Sequence, residues 1–240
     1  MGYPDRKIVK ITRNLPNKIS VVSNQGLSSS HRNRPCVILG GGPSLQYVSP
    51  ELWKDYHTIG VNKSILLPYV DTMYFMDIGI YTNCTSDTPS DEKDIKAMRQ
   101  AWRNFSGTKY TIRSHRDLVF SKEVIALKSI IKPTLSRDIK NGIYSTSNSG
   151  SGAIMLAIAL GFNIIHLLGF DLSIDDKNEK THWHSGYFRQ EPSQTKRKLN
   201  EFIKCFETVS DLIKSTDIEI YNLNKNSALE VFPKISIDIL

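Results

Sequence analysis

The sequence is poor in cysteine, in long apolar runs and in the standard glycine signatures of phosphate binding. Its three cysteines, Cys36, Cys84 and Cys205, spread over 240 residues, have neither a disulfide framework's paired spacing nor that of metal ligands. This excludes a scaffold stapled by disulfides or zinc, and a reducing cytoplasm is the expected location. No stretch approaches the roughly 18 consecutive apolar residues of a membrane span. The opening residues, MGYPDRKIVK, lack the apolar segment of a signal peptide. Neither G-x-G-x-x-G nor G-x-x-x-x-G-K-[ST] occurs. Internal repeats and low-complexity segments are also missing.

What is present is a moderately basic chain with an ordinary globular composition. It carries 31 Lys and Arg against 24 Asp and Glu, a formal charge of +7, with 40% hydrophobic and 23% charged residues. That balance favours an anionic ligand or partner without identifying one. The basic residues are dispersed, densest at Lys196-Arg197-Lys198 and within the first 34 residues. A nucleic-acid acceptor is compatible with the charge, but no array of aromatic and basic residues supports it.

The most informative stretch is PCVILGGGPSL, Pro35 to Leu45. A short apolar run that stops at a glycine cluster reads as a buried parallel strand entering a tight turn. Glycines there bring backbone N–H groups close to a ligand, and Pro43 suits the first turn of a following helix. This predicts an anion or phosphate site around Gly40, Gly41, Gly42, Pro43 and Ser44. The plainer reading is a glycine turn that only connects strand to helix.

Around this turn the chain alternates strand and helix patterns. Strands are expected at 57–64 (HTIGVNKS), 72–76 (TMYFM), 109–113 (KYTIR), 163–171 (NIIHLLGFD) and IEIYNL near the end. Residues 124–131 form one apolar strip. Helices are expected after Ser49-Pro50, over 93–104, over the small-residue run SGSGAIMLAIALGF closed by Gly161, and over the amphipathic 196–214. SALEVF predicts a short final helix. The pattern argues for a single α/β domain over residues 35–240, a Rossmann-like, doubly wound, mostly parallel sheet with helices on both faces. A basic extension over 1–34 precedes it.

Several polar residues close apolar strands: Asn62, Asp77 and Asp171. In an open α/β sheet the carboxyl ends of the strands form the ligand crevice. Each is also a common turn former. Ser149, Gly150, Ser151 and Gly152 open the small-residue helix and offer a second anion site, or ordinary caps. His182-Trp183-His184, with Tyr187 beside it, follows a loop holding Asp175 and Asp176. Two histidines spaced i, i+2 without a third ligand argue against a metal, and a neutral imidazole suits proton removal from a hydroxyl. Asp175-Asp176 lacks the Asp-x-Asp spacing many metal-dependent sugar transferases use. His31, His57, His115 and His166 lack such company, and His166 reads as a core residue.

The order GGGPSL, GVN, an Asp-ended strand, SGSGAIMLAIALGFNIIHLLGFD, a His-rich loop and YNLNKNSALEVFP resembles two related groups across about residues 35–235. One is the family 42 sialyltransferases. The other comprises proteins similar to the archaeal 6-hydroxymethylpterin pyrophosphokinase. The first resemblance implies a glycosyltransferase with a nucleotide-sugar donor bordered by Gly41 to Ser44, Asn62, the Ser149–Gly152 turn and Asn222. His182 or His184 would deprotonate a hydroxyl acceptor. The chain differs from that family in its short segment between Asp171 and His182. The second resemblance implies ATP, with Mg²⁺ held by acidic residues such as Asp77 and Asp171. A non-catalytic nucleotide-binding module is a third reading. A homo-oligomer is compatible with all three.

Overall fold

The computed structural model describes residues 31–112, 119–173, 182–184 and 192–240, the side chains of 192–196 excepted. Asp175, Asp176, Tyr187, His115 and the extension up to residue 30 lie outside the described residues. Within them the chain runs through β1 (Pro35–Leu39), β2 (His57–Val61), β3 (Thr72–Phe75), α1 (Ile78–Thr85), α2 (Lys93–Asn104) and β4 (Thr108–Ile112). It continues through β5 (Val124–Leu127), β6 (Ser129–Ile130), β7 (Ile143–Tyr144), α3 (Ser149–Ala159), β8 (Ile164–Leu168), α4 (Pro192–Ile213) and β9 (Glu219–Asn222). Seven strands form one sheet in the order β5-β4-β3-β2-β1-β8-β9. Every pairing in it is parallel. The fold is therefore the expected Rossmann-like α/β arrangement.

Alternation along the strands explains the layers. Cys36 and Ile38 of β1 face a core shared with α3 and α4, through Ala153, Ile154, Phe206 and Val209. Val37 and Leu39 face the opposite side, against Leu45, Trp53 and Leu168. Farther along that second face, Met73 and Phe75 of β3 pack on Ile80 of α1 and on Met98 and Trp102 of α2. Such strands, apolar on both faces, are what a parallel sheet covered by helices requires. α3 is buried from Ser151 to Ala159, which is why its sequence uses small residues rather than an amphipathic stripe.

Local expectations were met unevenly. α2 has the expected bounds, and Gly161 ends the α3 region with φ of +99°. The 124–131 strip divides at Lys128 into β5 and β6, the latter paired with β7 outside the main sheet. The segment after Ser49 makes only one 3₁₀ turn, Pro50–Leu52, without a side-chain cap. SALEVF is irregular rather than helical. Tertiary bonds override its propensity there: Ser227 Oγ donates to the Phe170 carbonyl at 2.6 Å, and the Ala228 N–H donates to the Asp171 carbonyl at 2.8 Å.

Strand order reverses at β1. The chain proceeds outward from β1 through β5, then returns to lay β8 and β9 on the other side. The carboxyl ends of β1 and β8 thus flank the topological switch point, where open α/β sheets bind ligands.

Candidate functional site

The glycine turn sits at this switch point, closed tightly against the end of β8. The Gly40 N–H donates to the Leu168 carbonyl at 2.8 Å and the Gly42 N–H to the Gly169 carbonyl at 2.7 Å. A Cβ on Gly40 would lie 2.5 Å from the Gly169 oxygen. One on Gly42 would lie 1.9 Å from Asp171 Oδ2 and 2.7 Å from that same carbonyl. Gly169 itself has φ of +71°. Glycine at 40 and 42 is therefore demanded by strand-to-strand approach, without any ligand.

Asp171 is the centre of this junction and is buried. Its carboxylate accepts from the Ser44 N–H at 3.1 Å, from Ser44 Oγ at 2.8 Å and from Asn224 Nδ2 at 3.0 Å. Pro43–Tyr47 is a five-residue 3₁₀ turn, and Asp171 supplies the negative charge at its amino end. Within the turn expected to border a phosphate, the amides of Gly42 and Ser44 are thus occupied by the protein's own carbonyl and carboxylate. Pro43 is buried beneath. The remaining wall of the turn is the half-buried Gly41, where a Cβ would approach only the His182 ring, 3.0 Å from Cδ2.

His182 is seated against that wall, with His184 beside it. The Trp183 N–H donates to the Gly41 carbonyl at 3.0 Å, and the His182 and His184 ring centroids are 5.3 Å apart. Burial, aided by the nearby Lys63 ammonium, holds the His182 imidazole down to about 4. At neutral pH this ring is uncharged.

Across the glycine turn, the 3₁₀ turn that follows β2 contributes Asn62, Lys63 and Ser64. Ser64 Oγ donates to the Gly40 carbonyl at 3.0 Å, tying this segment to the glycine turn. Asn62 has φ of +54°, a left-handed backbone that asparagine tolerates. Its Oδ1 is buried with no hydrogen-bond partner among the described residues. Trp183 Nε1 is in the same condition. Orphaned buried polar atoms cost about 1–3 kcal/mol each, and two beside a switch point suit a site that completes them with a ligand or water.

The remaining predicted residues divide by location. Asn148 caps α3, accepting from the Ser151 N–H at 3.0 Å, so the capping alternative falls to Asn148 rather than to Ser149 or Ser151. Ser151 is fully buried and donates to Thr146 Oγ1 at 2.8 Å, and Gly152 lets the helix pack on Tyr74. Both are interior; Ser149 and Gly150 alone of that turn are partly exposed. Asn222 is fully buried and braces the loop after β9, accepting from the Asn224 N–H at 3.1 Å.

Asp77 is exposed and caps α1, accepting from the Gly79 N–H at 2.8 Å. β2 and β1 separate its strand from that of Asp171. At about 4.8 Å per strand the ends of those two strands are about 14 Å apart, and the structure gives the two carboxylates no shared contact. Among the described residues no group of three His, Cys, Asp or Glu could hold a metal.

Sequence reasoning missed Lys63, Ser64 and Asn224. Lys63 in GVNKS reads as an exposed turn lysine, and Asp94, its ion-pair partner at 3.2 Å, lies 31 residues away. Two surface clefts of about 380 and 400 Å³ lie elsewhere, one beside α2 near Arg99 and one between Ser147 and Cys205. Both are open to solvent, and neither gathers the groups described above.

No protein-family model matches the chain, and no curated protein matches it. Among solved structures it is similar to the sialyltransferase CstII from Campylobacter jejuni in complex with the substrate analogue CMP-3FNeuAc. The identity is 15% over 85% of this chain and 86% of that one, with a TM-score of 0.48. It is also similar to an alpha-2,3-sialyltransferase from Campylobacter jejuni in apo form, at 17% identity over 85% of this chain and 80% of that one, with a TM-score of 0.43. No helix among the described residues is long and apolar enough to cross a membrane.

Proposed function

We propose that the crevice at the β1/β8 switch point binds a nucleotide-sugar donor and that the protein transfers the sugar to an acceptor hydroxyl. The observation that carries this reading is the bond from Trp183 N–H to the Gly41 carbonyl, which ties the histidine segment to the glycine turn, with His182 against Gly41 and His184 beside it. A nucleotide crevice with an acid–base pair at its rim fits group transfer better than simple binding. The ordered motifs resembling family 42 sialyltransferases point the same way.

In this scheme Gly41, Asn62, Ser149 and Gly150 border the donor. Asp171 and Asn222 act at one remove, holding the glycine turn and the loop after β9 in place. An imidazole takes the acceptor's proton, the acceptor oxygen bonds to the sugar carbon, and the bond from that carbon to the donor phosphate oxygen breaks. The electron pair leaves with the nucleotide. His182, held to about 4, is a poor base near neutrality, because a general base works best with a pKa near the operating pH. His184 is therefore assigned the proton, and His182 the task of positioning it.

The test is nucleotide release from CMP-, UDP- and GDP-sugars in the presence of a mixed panel of sugar acceptors. Turnover with one donor class, lost in His184→Gln and only reduced in His182→Gln, is expected. Full turnover in both variants rejects the base assignment, and no turnover with any donor rejects the transferase reading.

A further inference from the structure

We propose that Lys63 is the cation that receives the donor's phosphate and that Asp94 restrains it; this rests on the donor-crevice reading above. Lys63 is the second residue beyond β2, at the carboxyl edge of the sheet, in the 3₁₀ turn Asn62–Leu66. The left-handed backbone of Asn62 redirects the chain there, and the adjacent Ser64 is bonded to the glycine turn. The Lys63 side chain is 9% exposed. Lysine is almost never buried without a reason, because desolvating an ammonium costs several kcal/mol.

The fold contains an internal contrast. Lys109, the other buried lysine among the described residues, lies near the start of β4, at the opposite end of the strands. It joins Glu123 at 3.0 Å and lies 5.2 Å from the Trp102 ring centre, a structural clamp. Lys63 instead stands where strand ends converge on the crevice, close enough for its charge to act on the His182 ring. With the amides of Gly42 and Ser44 occupied by Gly169 and Asp171, an anion entering the switch point meets this ammonium. A compact point charge suits a phosphate.

Asp94 lies in the first turn of α2, its side chain 32% exposed, 3.2 Å from the ammonium. A carboxylate in that position competes with an incoming phosphate for the same charge. Neutralising it should strengthen phosphate binding, whereas a purely structural ion pair predicts no gain.

The experiment is calorimetric titration of the full chain with CMP, UDP and ADP, each beside its uncharged nucleoside, at two salt concentrations. Lys63→Met should weaken the tightest-bound nucleotide at least tenfold, flatten its salt dependence and leave the nucleoside unchanged. Lys63→Arg should stay within about threefold of wild type, and Asp94→Asn should bind several-fold tighter. Wild-type affinity in Lys63→Met, or equal loss of nucleotide and nucleoside, overturns the assignment while leaving the crevice standing. Wild-type protein that binds none of the nucleotides overturns the crevice and the assignment together. If Lys63→Met does not fold, Asp94→Asn decides: unchanged or weaker nucleotide binding overturns the proposal.

Discussion

Alanine at two neighbouring glycines should have opposite consequences. At Gly42 the new methyl would lie 1.9 Å from Asp171 Oδ2 and 2.7 Å from the Gly169 carbonyl. The carboxylate must swing away, breaking its bonds to Ser44 and Asn224, while the β1–β8 junction is pushed apart. Overpacking costs about 1–3 kcal/mol, and a disturbed hydrogen bond to a charged group about 1.5–3 kcal/mol. Since these share one relaxation, we expect about 3 kcal/mol in total. For a chain of this size that lowers the melting temperature by about 6–12 °C. At Gly41 the methyl meets only the His182 ring, at 3.0 Å, so stability should hold within about 0.5 kcal/mol while turnover falls. The assay is thermal unfolding by circular dichroism beside nucleotide release. A Gly42→Ala protein that melts within 2 °C of wild type, or a Gly41→Ala protein equally destabilised, would refute the packing argument.

Three further predictions follow from other parts of the molecule. His182 titrates at about 4 when folded and near 6.5 when unfolded, so it contributes nothing above pH 6.5. It lowers stability as pH falls from 6.5 to 4, because the unfolded chain takes up the proton first. Urea titrations of His182→Asn should show a shallower loss across that window, and an imidazole resonance titrating near 6.5 in folded wild type would contradict this. Glu123→Ala should cost about 1.5–3 kcal/mol, since the buried Lys109 ammonium loses its charged partner and keeps only the Phe105 carbonyl and the Trp102 and Phe105 rings. Adding Lys109→Met should recover most of that in a double-mutant cycle, and strict additivity would argue against the clamp. Asn62→Gly should keep wild-type stability and Asn62→Ala lose about 1 kcal/mol, because φ is +54°. Both should bind nucleotide more weakly, and undiminished binding in Asn62→Gly would remove Asn62 from the site.

The fold was legible where a local pattern coincided with tertiary need. The run Cys36–Leu39 followed by glycines marked β1 and its turn, and GFD after the second apolar run marked the end of β8. Their meaning was only half legible. The sequence suggested glycines that cradle a ligand, whereas Gly40 and Gly42 are required by contact with Gly169 and Asp171. That requirement comes from a strand more than a hundred residues later, which no local window contains. For the same reason Ser227 drew its segment out of a helix, and Asp94 made a turn lysine a buried one. Asp77 and Ser151 were recognisable as polar residues at element ends, yet Asp77 caps the helix it precedes and Ser151 bonds the buried Thr146 hydroxyl just ahead of α3.

The most direct test of the central claim is amide-shift mapping of ¹⁵N-labelled protein during titration with CMP, UDP and ADP. We predict that at least one nucleotide binds, with shifts concentrated at Gly41, Asn62, Ser149, Gly150 and the Trp183 indole. Absence of binding, or shifts confined to the cleft between Ser147 and Cys205, would contradict the assignment of the β1/β8 switch point as the donor site.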